Sequence, residues 1–438
     1  MKKLIPVFLI LLLASALSAK TTVEDVHTFT LDNGMQFFVL EDHSIPNANM
    51  YLFWKVGSRN EVPGITGLSH FFEHMMFNGA KKYGPKEFDR VMEANGGANN
   101  AYTTENNTVY TDFFPSSAVE VIFELEADRI GHLALADSMV ESERGVVLSE
   151  RSMYMNNSNW FKLNEQVLSV AFMAHPYKWS VIGYESDIRN WTKSDLQNYF
   201  HTYYAPNNGI VVMVGDIKVD QIKKLAKQYF EPIPAQKPPR PVHTTEPEQL
   251  GEKRVYVHKD VSSPNLMLAY HVPETKHKDY YAVELLSSIL SEGKSSRLYT
   301  ALVDEKQLAV TVQAYYPLAF DPTLFYFYAI CSKDVHEDTL EKAIYEEINK
   351  LKRDGVTEKE LQKVKNRKLV DFYHNMEEID GKANMIGTYE LYFGDYKLLF
   401  NAPEEYKKVT VADIKEVAEK YLKKSNRTVG ILKKAEEE

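Results

Sequence analysis

Short apolar runs, each followed by turn residues, divide the first half of the chain into a series of predicted strands. The apolar runs cover residues 37–41, 50–56, 108–114 and 210–214, and the more polar segment 98–104 is also predicted as a strand. Longer segments whose apolar residues follow a helical spacing lie between and after these runs. This mixture predicts an α+β fold, in which a mostly antiparallel sheet is packed by helices.

The second half of the chain repeats this pattern. The apolar run 50–54 has a counterpart at 266–270, and the helix and strand of segment 192–214 have counterparts in 410–432. Both helical segments begin with a threonine that is followed three residues later by an aspartate, as helix N-caps often are. We therefore predict two homologous halves, and the alternative is chance similarity, since few residues are identical.

A proline-rich segment separates the two halves. Residues 231–243 contain five prolines, and proline disrupts both helices and central strands. We predict a stiff, extended linker in this segment. The alternative is a surface loop within a single domain.

The pattern His-x-x-Glu-His stands inside a predicted helix over residues 66–80. Residues four apart share one face of a helix, so His70 and His74 point to the same place. Two neutral imidazoles at this spacing can bind one zinc ion, and Glu73 lies close enough to act on a metal-bound water. The alternative is a helix with two buried, hydrogen-bonded histidines.

A second predicted helix offers a further ligand. A catalytic zinc ion needs a third protein ligand and one open position. Glu143 and Glu150 lie in the predicted helix 136–155, two turns apart and therefore on one face. Taken alone, two glutamates on a charged helix are more often a solvated face.

These residues together resemble the pitrilysin family of metallopeptidases, which includes insulysin and the mitochondrial processing peptidases. The His-x-x-Glu-His pattern and the spacing of the two later glutamates match the family. Its G-G-x-x-N-A-x-T segment corresponds to residues 96–103, and its H-x-Y-Y-x-P-x-N segment to residues 201–208. The likeness covers nearly the whole chain and is most specific in the first half.

The resemblance implies a complete catalytic zinc site in the first half. His70, His74 and Glu150 would hold one Zn²⁺ per chain. Glu73 would be the general base that takes a proton from the zinc-activated water and passes it to the leaving amine. Glu143 would orient one of the ligands. At the corresponding positions of the second half, aliphatic residues replace the motif, so that half should bind no metal.

The resemblance also implies contacts to a peptide substrate. The strand that carries Asn100 and Ala101 would add the substrate backbone as an extra strand. In the second half, Arg297 and Tyr299 are candidates to contact substrate. Val303 and Val310 stand where long family members carry an arginine and a tyrosine. This departure favours a second chain as partner, in a homodimer or in a heterodimer with a related subunit.

The beginning of the chain predicts export. Two lysines, an apolar run over residues 4–13 and small residues up to Ala19 are typical of a secretory signal peptide. An uncleaved anchor is the alternative. Cys331 is the only cysteine, which excludes an intrachain disulfide. The formal net charge of −10 disfavours nucleic acid as a partner.

The sequence therefore predicts a signal peptide over 1–19, a zinc-binding catalytic domain over 20–230, a linker over 231–250, and a metal-free domain of the same fold over 251–438. The predicted function is zinc-dependent hydrolysis of extended peptides or unfolded protein segments, in the periplasm or outside the cell. Two alternatives remain at this point: a non-catalytic partner or scaffold subunit, and a peptide-binding or zinc-trafficking module.

Overall fold

The computed structural model describes residues 21–435, which form two mixed sheets, each packed by helices. The signal peptide predicted over residues 1–19 lies outside the described residues. Within residues 21–435, no helix is long and apolar enough to cross a membrane.

The first sheet has six strands: β1 (Val26–Thr30), β2 (Gln36–Glu41), β3 (Asn47–Trp54), β4 (Ala98–Thr103), β5 (Thr108–Pro115) and β6 (Gly209–Gly215). Their order is β1-β2-β6-β3-β5-β4, so β4 forms an edge. The β2–β6 pair is parallel and the other pairs are antiparallel. The accompanying helices are α1 (Leu68–Met75), α2 (Glu87–Ala94), α3 (Val119–His132), α4 (Asp137–Asn157), α5 (Asn159–Ala171), α6 (Glu185–Asn190), α7 (Lys193–Tyr203) and α8 (Val219–Tyr229).

The second sheet has five strands: β7 (Lys253–His258), β8 (Asn265–Val272), β9 (Ala309–Tyr315), β10 (Thr323–Cys331) and β11 (Arg427–Lys433). They follow the order β7-β11-β8-β10-β9, and β7–β11 is the parallel pair. Its helices are α9 (Tyr280–Ser291), α10 (Glu337–Asp354), α11 (Glu358–Asn375), α12 (Ile379–Thr388), α13 (Leu398–Lys408) and α14 (Val411–Tyr421). Two π-helical turns cover Tyr299–Glu305 and Tyr389–Phe393.

The two halves share one topology, which confirms the predicted repeat and the α+β class. β8 pairs with β11 as β3 pairs with β6, and β9 occupies the edge that β4 occupies in the first sheet. The predicted N-caps Thr192 and Thr410 both form capping boxes. Leu286, Ile289 and Leu290, at the positions of the motif, are buried in α9.

The helix that carries the motif is shorter than the predicted span of residues 66–80. It begins at Leu68, because the preceding residue, Gly67, has a φ of 90° in the left-handed region and therefore cannot belong to the right-handed helix. The buried carboxylate of Glu61 accepts hydrogen bonds from the backbone N–H groups of Gly67 (2.7 Å) and Ser69 (2.8 Å). These bonds satisfy N–H groups that a helix start leaves unpaired.

One helix of each half packs against the sheet of the other half. α5 packs against β11, β7 and β8, and a side chain at Gly430 in β11 would overlap Val167 of α5. α12 packs against β6 and β3, and a side chain at Gly387 in α12 would overlap Phe53. The crossed helices bury apolar side chains of both halves together, so the halves form one continuous packed body.

The segment between the halves contains no helix or strand from residue 234 to residue 250. It is nevertheless fastened to the body of the protein. The carboxylate of Glu246 accepts hydrogen bonds from three successive backbone N–H groups, those of Met173, Ala174 and His175, at 2.6–2.9 Å. These bonds tie the end of the segment to the end of α5.

Candidate metal centre

α1 presents the motif residues on one side and core residues on the other. Phe71, Phe72 and Met75 are fully buried in the first core. The opposite face carries His70 and His74, whose ring centroids are 4.7 Å apart. Burial of the apolar face fixes the rotation of the helix, and that rotation turns both imidazoles toward α4.

α4 brings Glu150 to the two histidines. Oε2 of Glu150 lies 3.5 Å from Nε2 of His70 and 3.4 Å from Nε2 of His74. Next to Glu150, the Arg151 guanidinium donates two hydrogen bonds to Glu165 of α5, at 2.9 and 3.0 Å in a buried ion pair. This pair fixes the position of α4 at the level of the cluster.

The three side chains fit a metal ion. One ligand atom from each of His70, His74 and Glu150 can be chosen so that all three lie within 4.8 Å of one another. Oε2 of Glu150 is buried and receives no hydrogen bond from the described residues. A buried carboxylate oxygen that faces two imidazole nitrogens, without a donor of its own, matches a Zn²⁺ site of the His₂Glu type.

The two histidines have opposite electrostatic environments. Burial, assisted by the nearby His74, lowers the pKa of His70 to about 4, so this imidazole is neutral. Burial also opposes the charged form of His74, but the carboxylates of Glu143 and Glu150 outweigh it and raise its pKa to about 9. Metal ligands must be deprotonated, so a zinc ion bound here would displace a proton from His74.

Glu143, the residue for which the family resemblance implied an orienting role, lies in contact with His74. Its Oε1 lies 2.8 Å from Nδ1 of His74, and its Oε2 accepts a hydrogen bond from Nδ2 of Asn78 at 2.6 Å. The contact on Nδ1 leaves Nε2 of His74 directed at Glu150. Asn78 was not among the predicted site residues, although it follows His74 by one helical turn in the sequence.

Glu73 lies beside the cluster and is held by the neighbouring strand. Its Oε2 accepts a hydrogen bond of 2.6 Å from the hydroxyl of Thr103 at the end of β4. Burial raises the pKa of Glu73 above its usual value, although the hydrogen bond from Thr103 and the charge of His74 act in the opposite direction. A carboxylate with a raised pKa is better suited to accept and return a proton near neutral pH.

Two cavities adjoin Glu73, one on each side. A cavity of about 340 Å³ is lined by Glu73, His74, Glu143 and the edge strand, including Asn100 and Ala101. The structure thus brings these two predicted substrate-binding residues to the cluster. The cavity on the other side measures about 350 Å³ and is lined by His70, Glu73, Glu150 and a group of residues that the sequence prediction missed, Tyr102, Glu105, Tyr154, Trp160 and Asn164.

Arg297 and Tyr299 are not brought to the cluster and line neither of these two cavities. The Arg297 guanidinium donates hydrogen bonds to Glu360 at 2.6 and 3.0 Å and to the carbonyl of Gly355 at 2.9 Å. It therefore anchors the start of α11 within the second half. Tyr299 begins the π-helical turn that precedes β9.

Comparison with known proteins relates both halves to one group of peptidases. Residues 37–184 match the family model described as "Insulinase (Peptidase family M16)", and residues 190–368 match the one described as "Peptidase M16 inactive domain". The "Zinc protease PqqE" of Helicobacter pylori is 33% identical over 97% of this chain and 96% of its own. The "Uncharacterized zinc protease YmxG" of Bacillus subtilis is 25% identical over 85% and 90%.

Solved structures show the same architecture. The crystal structure of a protease from Helicobacter pylori superposes with a TM-score of 0.90 at 33% identity, over 93% of this chain and 99% of that one. The periplasmic protease PqqL from Escherichia coli superposes with a TM-score of 0.76 at 18% identity, over 95% of this chain and 48% of that one. The second likeness concerns the fold alone.

Proposed function

This chain belongs to peptidase family M16, and from that membership we propose that it is a zinc-dependent endopeptidase that cleaves extended peptides and unfolded protein segments. One observation carries the proposal: the nitrogens of His70 and His74 and Oε2 of Glu150 converge beside Glu73. The relatives named zinc proteases support the same chemistry.

His70, His74 and Glu150 would hold the zinc ion, and Glu143 would keep the His74 ring in place through its Nδ1 atom. When bound, zinc supplies Lewis-acid chemistry, which polarises a carbonyl group and lowers the pKa of water. Three protein ligands leave one position of a tetrahedral zinc ion open to solvent or substrate. The cavities on both sides of Glu73 give a peptide access to that position.

Glu73 would carry the proton. Its carboxylate, held at Oε2 by the Thr103 hydroxyl, would accept a proton from water and return it to the leaving amine. Thr103 keeps the carboxylate in one orientation while this happens. The raised pKa of Glu73 helps it to bind the proton between the two steps.

β4 would hold the substrate. It is an edge strand, so one side of its backbone is free to pair with an extended chain. Its residues alternate between exposed and half-buried, and Asn100 and Ala101 line the cavity beside His74. A peptide that pairs with β4 would therefore run past Glu73. A folded protein cannot present such a segment, which limits the proposed substrates to extended chains.

The test combines zinc content with hydrolysis of an unstructured, internally quenched peptide by the mature protein. We expect about one zinc per chain and hydrolysis that a chelator abolishes. Glu73→Gln should retain the zinc but lose roughly 10²–10⁴-fold in kcat, whereas Glu93→Gln, at an exposed position of α2, should behave as the parent. A zinc-loaded parent without activity, or a Glu73→Gln variant within tenfold of the parent, would refute the proposal.

A further inference from the structure

The turn between β4 and β5, residues 104–107, is covered by other parts of the protein. Asn106 and Asn107 are each only 2% exposed, whereas turns ordinarily lie at the surface. Within the turn, the Thr104 hydroxyl donates to Oδ1 of Asn107 at 2.7 Å and accepts from the backbone N–H groups of Asn106 and Asn107, both at 3.0 Å. These bonds make the turn a compact unit at the end of β4.

The metal-free half holds this turn by hydrogen bonds. The hydroxyl of Tyr392, in the second π-helical turn, donates to Oδ1 of Asn107 at 2.8 Å, a buried bond between residues 285 positions apart. Oδ1 of Asn106 accepts from the backbone N–H of Phe320 at 3.2 Å, and its Nδ2 donates to the carbonyl of Leu318 at 3.3 Å. Both asparagine side chains of the turn are therefore bonded to the second half.

The residue that contacts Glu73 comes directly before this turn. Thr103, the last residue of β4, donates from its hydroxyl to Oε2 of Glu73 at 2.6 Å. Its backbone is held on one side by pairing with Thr108 of β5 and on the other by the turn itself. A displaced turn would therefore move the Thr103 hydroxyl and with it the Glu73 carboxylate. A misplacement of about 1 Å in a catalytic site can cost on the order of 10²-fold in rate.

The Tyr392 hydroxyl can be removed without disturbing the packing around it. The ring of Tyr392 packs against Phe320 with centroids 4.8 Å apart and is 6% exposed. A phenylalanine would keep these contacts, and α5 and α12 would still join the two halves. Oδ1 of Asn107 would keep the Thr104 hydroxyl as a donor. Tyr392→Phe thus removes one contact on the turn and leaves no buried acceptor unpaired.

We propose that Tyr392 is a positioning residue for the catalytic carboxylate. Its hydroxyl fixes the turn of residues 104–107, and the turn fixes Thr103 against Glu73. The metal-free half would in this way act on the proton-carrying group without touching it. The inference rests on the proposed peptidase function, in which Glu73 carries the proton.

The kinetic test compares Tyr392→Phe, Thr103→Val and the double variant on the quenched peptide. Tyr392→Phe should lower kcat roughly 3–10-fold, as expected for the loss of one hydrogen bond, while KM changes less than about twofold and the zinc content stays parental. Thr103→Val should lose at least as much. The double variant should be no slower than Thr103→Val, because the turn then has no hydroxyl to position.

Tyr328→Phe is the matched control, since the Tyr328 hydroxyl also donates to an asparagine Oδ1, that of Asn265, at 2.6 Å within the second sheet. Tyr328 lines neither cavity beside Glu73, and this variant should keep the parental kcat. Parental kcat in Tyr392→Phe would overturn the inference. So would losses that multiply in the double variant, or an equal loss in Tyr328→Phe.

Hydrogen exchange separates this inference from the proposed function, because it requires no hydrolysis. Backbone N–H groups of residues 98–107, followed by mass spectrometry, report local opening of β4 and its turn. Their exchange should be at least about threefold faster in Tyr392→Phe than in the parent and unchanged in Tyr328→Phe. Unchanged exchange in Tyr392→Phe would overturn the inference. A parent that hydrolyses no peptide would defeat the peptidase proposal, and the exchange rates would still decide whether Tyr392 fixes the turn.

Discussion

Replacing Glu143 by glutamine tests how a residue that does not itself bind the metal supports the metal centre. The carboxylate has two contacts, Oε1 with Nδ1 of His74 at 2.8 Å and Oε2 with Nδ2 of Asn78 at 2.6 Å. A glutamine can accept from His74 with its single oxygen. The amide nitrogen of the glutamine then faces Nδ2 of Asn78. Both groups are hydrogen-bond donors, whereas in the parent Nδ2 of Asn78 donates to a carboxylate oxygen.

Two losses therefore add in the Glu143→Gln variant. The negative charge that raises the pKa of His74, and with it the basicity of this ligand, is removed. The orientation of the His74 ring is less firmly fixed. Removing an outer partner of a metal-bound histidine typically lowers metal affinity 10–100-fold, which corresponds to about 1.4–2.7 kcal/mol. We expect a change of this size, with all three proposed ligands still in place.

The assay is competition for zinc between the protein and a chromophoric chelator of known affinity. Glu141→Gln is the matched control, because Glu141 lies on the same helix with its side chain 66% exposed. It removes the same charge from α4 without touching His74, and its zinc Kd should equal that of the parent. A Glu143→Gln variant whose Kd stays within twofold of the parent would refute the role given to Glu143, as would an equal loss in Glu141→Gln.

Three further outcomes follow from the structure. Burial, together with the charge of Glu126, raises the pKa of Asp112 in the folded state. As pH rises toward that pKa, the unfolded chain has already lost this proton while the folded protein keeps it, so the free energy of unfolding should fall by up to about 1.4 kcal/mol per pH unit. Urea unfolding at several pH values should show this slope in the parent and not in Asp112→Asn. Gly183→Ala should lower the free energy of unfolding by more than about 1 kcal/mol, because Gly183 has a φ of 78° and a Cβ there would overlap backbone, whereas Gly251→Ala, which meets nothing within 4 Å, should not. A disulfide-locked globular protein should survive incubation with the enzyme, and its reduced, alkylated form should be cut.

Local sequence rules were enough to predict the arrangement within each helix. His70 and His74 share a face because helical geometry places residues four apart above one another, and the capping boxes at Thr192 and Thr410 are set by four consecutive residues. The strands were predicted for the same reason, since apolar runs between turn residues leave few alternatives. The approach of Glu150 to the histidines depends on how α4 packs on α1, and family resemblance, not spacing, indicated it.

Residues whose role depends on tertiary contacts could not be predicted. Arg297 was a candidate to contact substrate, but it pairs with Glu360, which lies 63 residues away, and no pattern along the chain relates the two. Thr103 and Glu105 stand in a strand and a turn of ordinary composition. The fold decides what they meet: the Thr103 hydroxyl donates to Glu73, and Glu105 lines the cavity of about 350 Å³ beside His70.

The crossed helices make the second half part of the framework that holds the candidate site. α5 carries Trp160 and Asn164 beside the metal centre, yet its apolar face packs on the second sheet. The position of these two side chains relative to Glu150 is therefore determined by both halves together. Trp160 and Asn164 also line a cavity of about 220 Å³, together with Tyr315 and Tyr326 of the second sheet. A first half alone would leave this cavity without the two tyrosine rings.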